Sequence, residues 1–159
     1  MQIARIFPSS ANNDYRGHWL ALWMFFPITA VTIGRSLVHI LRADGGAQSI
    51  ATIPLDQYPA PAAAAVIGVF ALWGVNQLLT GVLYGVVLWR YRNLLPLMYL
   101  LFIAEYVCRL LLSVAKPIET LGQAPGATAN FVFPILGLAL LALSLRTAPA
   151  VGAAGSAQR

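Results

Sequence analysis

The run WLALWMFFPITAVTIGRSLVHIL, from Trp19 to Leu41, carries a single charged side chain, Arg35, and one histidine, His39. A helix that crosses a bilayer needs about 20 mostly apolar residues, since roughly 30 Å of hydrocarbon is covered at about 1.5 Å per residue. This run is long enough. It exceeds the apolar core of a secretory signal, and no small-x-small cleavage site follows it, so it reads as a retained transmembrane helix.

Three further stretches share the pattern, at about 62–90, 94–115 and 130–146. The last is the shortest, so it is expected to thin the bilayer locally or to extend at either end through Thr128 and Ala148. The whole chain agrees: 59% of its 159 residues are apolar, 9% are charged and the mean hydropathy is +0.74. A soluble domain carries about 25% charged residues. The predicted fold is therefore an all-α, four-helix transmembrane bundle. Residues 1–147 form its one domain, and 148–159, rich in Ala, Gly and Ser, form a flexible tail.

Lys and Arg near helix ends collect on the cytoplasmic side. Arg5, Arg16, Arg90, Arg92, Arg146 and Arg159 fall on one side of the predicted bundle, and Arg42 and Lys116 on the other. Both termini are thus expected in the cytoplasm, with Trp19, Trp23, Trp89 and Tyr91 at the same headgroup level. The expected location is the inner (plasma) membrane of a bacterium. Topology accounts for the net charge of +5, and nucleic-acid binding would need a soluble basic face that this chain lacks.

The connection near residues 90–93 is so short that the second and third helices are expected to be antiparallel neighbours. The loop from Arg42 to Pro61 is long and is predicted on the outer side. In it, Asp44-Gly45-Gly46 reads as a turn, Ile50, Ile53, Leu55 and Tyr58 form an apolar edge suited to lie across the bundle mouth, and Pro59 and Pro61 stiffen the start of the next helix.

Charged side chains at bilayer depth cost about 2.5–3.5 kcal/mol on insertion scales, so each needs a partner. On the first helix Thr29, Thr32, Arg35, Ser36 and His39 share one face. On the third, Glu105 and Arg109 stand four apart in the favourable acid-first order, with Ser113 and Lys116 beyond them. On the second, Trp73, Asn76, Gln77, Thr80 and Tyr84 make a polar and aromatic face, while Gly74, Gly81 and Gly85 make a flat strip. That strip suits close packing inside the chain, against a second copy, or within a larger membrane complex. Arg35 and Arg109 against Glu105 leave one positive charge uncompensated. It would be met by Asp44 or Asp56 folding back from the loop, by water, or by an anionic ligand.

Several chemistries lack their residues. His18 and His39 lie about 31 Å apart along one helix at about 1.5 Å per residue. Cys108 is the single cysteine, and no HExxH, phosphate-binding glycine loop or GxSxG elbow occurs. No metal and no cofactor is implied.

The reading that follows is a small membrane binding or accessory protein. Its pocket, facing outward, is formed by Arg35, His39, Asn76, Gln77, Glu105 and Arg109 and takes an anionic or lipid-like ligand, with Asp44 and Asp56 as its loop cap. One alternative is a proton or small-anion transporter or channel component, which requires a polar path to the cytoplasm. Another is a membrane-embedded acid/base enzyme acting on a lipid or quinone through Glu105 and His39. The same helix glue that joins many bundles would also use these residues.

The topology has a direct check. In spheroplasts of cells making a Cys108→Ala protein, a cysteine placed at Gln48 should react with a membrane-impermeant maleimide, and one placed at Asn13 only after lysis. The opposite pattern would invert the orientation.

Overall fold

The computed structural model describes residues 3–146; the predicted tail at 148–159 lies outside them. A short helix α1 (Ile3–Ile6) precedes four long ones, α2 (Trp19–Leu41), α3 (Ala60–Arg90), α4 (Leu95–Ala115) and α5 (Pro125–Leu145). Single 3-10 turns occur at Leu55–Gln57 and Arg92–Leu94, and no strand is present among the described residues. All four long helices have the length and apolar composition to cross a membrane. The chain is thus an all-helical membrane protein.

Local chemistry sets the helix starts. His18 caps α2, its Nδ1 accepting from the Leu20 amide at 3.2 Å. Pro61 occupies the first turn of α3 and Pro125 that of α5, where the missing amide proton costs nothing. The proline explains why α5 begins five residues before the apolar run at Asn130. With 21 residues it covers about 30 Å at 1.5 Å per residue, so the expected local thinning is unnecessary.

The helices pack as two pairs, α2 on α3 and α4 on α5, joined mainly by contact between α2 and α5. This departs from the hairpin expected of the second and third spans: α3 and α4 are consecutive, but their backbones make few close approaches. Small residues decide the pairing. A Cβ on Gly74 would lie 2.8 Å from the His39 Cβ and 3.0 Å from the Ser36 carbonyl oxygen, and one on Gly81 would lie 2.6 Å from Ile33 Cγ1. Gly137 does the same for α5 on α4, meeting Ile103 Cγ1 at 2.7 Å. Gly85, grouped with Gly74 and Gly81 in the sequence strip, has nothing within 4 Å. Its neighbours thus carry the α2–α3 contact without it.

Where α3 and α4 diverge, large side chains bridge them. Phe25 of α2 sits between Tyr84 of α3 and Tyr99 of α4, ring centroids 4.9 and 5.0 Å away, and Tyr99 donates to the Ala21 carbonyl at 2.6 Å. These rings, with Val87, Leu95 and Met98, form the main core near the 91–94 turn.

The two ends are closed differently. At the turn end, Asn93 ties down the N-terminal segment: its Oδ1 accepts from the Asn12 amide at 2.8 Å and its Nδ2 donates to the Ser10 carbonyl at 2.8 Å. At the loop end, Ala47, Ile53 and Leu55 are buried against Ala63, Val66, Ile67 and Phe70 of α3. Thr52 has a left-handed backbone, φ 58°. That conformation is costly for a β-branched residue. It is offset by a clasp to the α4–α5 loop, in which the Thr52 hydroxyl donates to the Gly122 carbonyl at 2.9 Å and the Leu121 amide donates to the Thr52 carbonyl at 2.9 Å.

The glycine contacts separate two similar substitutions. Gly74→Ala should destabilise the protein by about 1–3 kcal/mol, the usual cost of overpacking. Gly85→Ala should be neutral or slightly stabilising through helix propensity. Thermal unfolding in detergent checks both.

Candidate functional site

The indole of Trp73, half-buried on α3, is the centre of the polar cluster. His39 of α2 stacks on it, centroids 4.8 Å apart and planes 27° from parallel. The guanidinium carbon of Arg109, from α4, lies 4.7 Å from the same ring centroid, and that of Arg35, from α2, lies 5.7 Å away. Aromatic faces attract cations, by about 0.5 kcal/mol at exposed sites and about 2 when desolvated, which draws two like charges to one ring.

Each guanidinium has further partners. Arg35 Nη1 donates to the Tyr106 hydroxyl at 2.9 Å, Arg109 lies over the Tyr106 ring at 5.0 Å, and Arg109 pairs with Glu105 one turn earlier on its own helix. Tyr106 is itself held by an edge-on contact with Phe133 of α5, centroids 4.9 Å apart. Tyr106 was absent from the sequence expectation. Its spacing, three residues before Arg109 and thus on a neighbouring face, is the signal that could have marked it.

The histidine is fixed from the loop side. His39 Nδ1 lies 2.7 Å from the Gly45 carbonyl oxygen, which can only accept, so Nδ1 carries the proton in this bond. Gly45 and Gly46 take left-handed conformations, φ 60° and 75°, in the turn that aims this carbonyl. Asp44 builds that turn, accepting from the Gly46 amide at 3.0 Å and the Ser49 amide at 2.7 Å. Partial burial would raise the Asp44 pKa, but the hydrogen bonds from Ser49 and Gly46 outweigh it and hold the carboxyl at about 2.

Asp44 also lies 3.6 Å from Arg42, and Asp56 is exposed without an ion pair among the described residues. Neither loop acid neutralises Arg35 or Arg109. Two guanidiniums therefore share one carboxylate, and one positive charge stays without an acidic counterpart among the described residues.

The remaining expected residues divide. Gln77 is 5% exposed, and both its amide nitrogen and its carbonyl oxygen lack a hydrogen-bond partner. Asn76 is exposed, and only its backbone carbonyl is engaged, accepting from the Thr80 hydroxyl at 3.0 Å. The hydroxyls of Thr29, Thr32 and Ser36 bond back to carbonyls of α2 itself. Arg35, His39, Glu105 and Arg109 are thus brought together around Trp73 and Tyr106, whereas Asn76 stands on the exposed outer surface of α3.

A second recess, of about 260 Å³, lies at the turn end among Arg5, Asn12, Tyr15, Arg16, Asn93 and Ser144. Arg5 donates to the carbonyls of Leu145 and Arg16, and Arg16 pairs with Asp14. Burial raises the Tyr15 pKa more than Arg5 lowers it, which keeps the phenol neutral as a donor to the His18 carbonyl at 3.1 Å. These groups satisfy one another.

Compared with known proteins, the chain matches no family, no curated protein and no solved structure.

The Asp44 turn is open to test by pH. A carboxyl whose pKa is lower folded than unfolded stabilises fully above its unfolded value, and the effect fades as pH falls through the folded one. Protection of the Gly46 and Ser49 amides from hydrogen exchange should hold from neutral pH to about 4 and weaken progressively as pH approaches about 2. In Asp44→Ala it should already be weak at neutral pH.

Proposed function

We propose that the protein is a binding or accessory protein of a bacterial plasma membrane, oriented with both termini in the cytoplasm, which holds an anionic or lipid-like small molecule. The site comprises Arg35, His39, Gln77, Glu105 and Arg109, with Asn76 at its edge. The observation that carries this reading is the excess of one guanidinium over carboxylate around Trp73. A partly buried cation without a counter-charge is costly, and an anionic head with two or three oxygen acceptors answers it through charge-assisted hydrogen bonds.

The alternative of transport would need a polar route from this cluster to the turn end. The space between is occupied by the buried rings of Phe25, Tyr84 and Tyr99, which favours holding a ligand over passing it. For acid/base catalysis, Glu105 is paired with Arg109 and His39 Nδ1 is committed to Gly45; both attachments favour a positioning role for these groups. Association with a second copy or a larger complex, if it uses the glycine strip, falls to Gly85, since Gly74 and Gly81 are engaged by α2.

Native mass spectrometry of the detergent-purified protein tests the site. The wild type should retain a small anionic molecule, and Arg35→Gln/Arg109→Gln should lose at least nine-tenths of it at unchanged subunit count. Two equally folded proteins with no adduct in either would sink the site.

A further inference from the structure

The polar cluster is closed off at the loop end and at the turn end of the bundle, and part of it is exposed between those ends. At the loop end, Ile53 and Leu55 are buried on α3, Gly45 is bonded to His39, and Thr52 is clasped to Leu121 and Gly122. At the turn end the rings of Phe25, Tyr84 and Tyr99 fill the interior. Between α3 and α4, however, the backbones stay apart, and the side chains of Glu105 and Arg109 are 33% and 16% exposed.

Helical geometry places further polar groups along the same gap. At about 100° per residue, Gln77 lies some 40° from Trp73 toward the α2-facing glycines, while Thr80 and Asn76 lie about 20° and 60° from Trp73 on the opposite side. On α4, Tyr106 turns from Arg109 toward Arg35 of α2, and Glu105 lies about 40° the other way. Asn76, Thr80 and Glu105 therefore border the side of the α3–α4 gap away from α2, and Gln77 and the arginines lie deeper. An exposed carboxamide halfway along an apolar helix is expensive in hydrocarbon. So is a buried one with neither hydrogen-bonding atom satisfied, and Gln77 is such a group.

We infer that the α3–α4 gap is a lateral portal through which an anionic amphiphile, a carboxylate or phosphate head on an acyl chain, enters from the bilayer. The head passes Asn76, settles on Arg35 and Arg109 and accepts a hydrogen bond from Gln77 Nε2; the chain stays in the lipid, along the gap bordered by Thr80. The depth suits such a molecule. Arg35 and Arg109 each stand six residues before the loop-end terminus of their helix, about 9 Å at 1.5 Å per residue, which is within reach of a head drawn just below the headgroup layer. This inference rests on the anion-site reading above and adds the ligand's class and its route.

Trp73 can report on it. In Trp19→Phe/Trp23→Phe/Trp89→Phe protein, reconstituted in phosphatidylcholine, Trp73 is the sole tryptophan, and the three removed are 62%, 60% and 77% exposed. Stearate or phosphatidylglycerol bearing a nitroxide near its head should quench Trp73 saturably; comparing the two identifies a free fatty acid or a phospholipid as the source. The methyl ester of the stearate probe and the Arg109→Gln variant should each bind at least tenfold more weakly, with Arg109→Lys retaining part of the affinity. Asn76→Leu/Thr80→Phe should slow binding about tenfold. A Thr52→Cys/Gly122→Cys disulfide, made in a Cys108→Ala background, should leave the rate unchanged. If a short water-soluble nitroxide carboxylate binds as tightly as the stearate probe and the disulfide slows it, the lateral route is overturned while the anion site stands. If no anion quenches saturably, both fall. Should the portal variant fail to fold, the methyl-ester and short-chain comparisons decide alone.

Discussion

The face of one indole holds the loop-end half of this bundle together. Trp73 receives a stacked imidazole from α2 and guanidinium groups from α2 and α4, so three of the four spanning helices meet on a single side chain. In hydrocarbon a cation has few sources of stabilisation, and an aromatic face is one that needs no second charge. Removing the ring would leave two like-charged groups near each other with one carboxylate, bound to Arg109, for the pair.

That arrangement depends on how closely α3 approaches α2, because the stacking of His39 and the reach of Arg35 are set by the distance between the two backbones. Gly74, adjacent to Trp73, makes the approach possible by presenting no Cβ to His39 and Ser36. The loop completes the placement from the other side, through the carbonyl that Asp44 and two left-handed glycines aim at the imidazole. Backbone geometry and side-chain chemistry act here on the same few residues. On the α4 side the backbones are farther apart, and long side chains span the difference. The bundle is therefore tight on the α2–α3 seam and loose between α3 and α4, where part of the Glu105 side chain is exposed.

Much of this was legible from residue order. The four spans, the shared polar faces of α2 and α4 and the Glu105–Arg109 pair follow from hydrophobic length and helical spacing, which depend on no neighbour. The helix α2 begins and ends where the first apolar run does. The start of α5 was not legible in this way, because its opening turn, PGATA, is not apolar and is marked only by the proline. Pairing was less accessible: a short connection between α3 and α4 suggested a tight hairpin, yet the glycine contacts joined α3 to α2. The strip was visible, but its direction is a property of the partner. Tyr106 was missed because a tyrosine in an apolar helix looks like packing until an arginine from another helix is found on its hydroxyl. Asp44 and Asp56 looked like counter-charges because a sequence lists acids without saying that local amides have already claimed one of them.

Residue order alone makes this chain a helical membrane protein with more cations than acids inside its apolar spans, since both follow from composition and from a period of 3.6 residues along a span of fixed thickness. The gathering of the cations on Trp73, the distance of the loop acids, the unpartnered Gln77 and the separation of α3 from α4 arise from packing between segments. Those outcomes depend on which helix faces which and at what distance. Such distances come from the packing of small and large side chains across different segments, and no single segment contains that information.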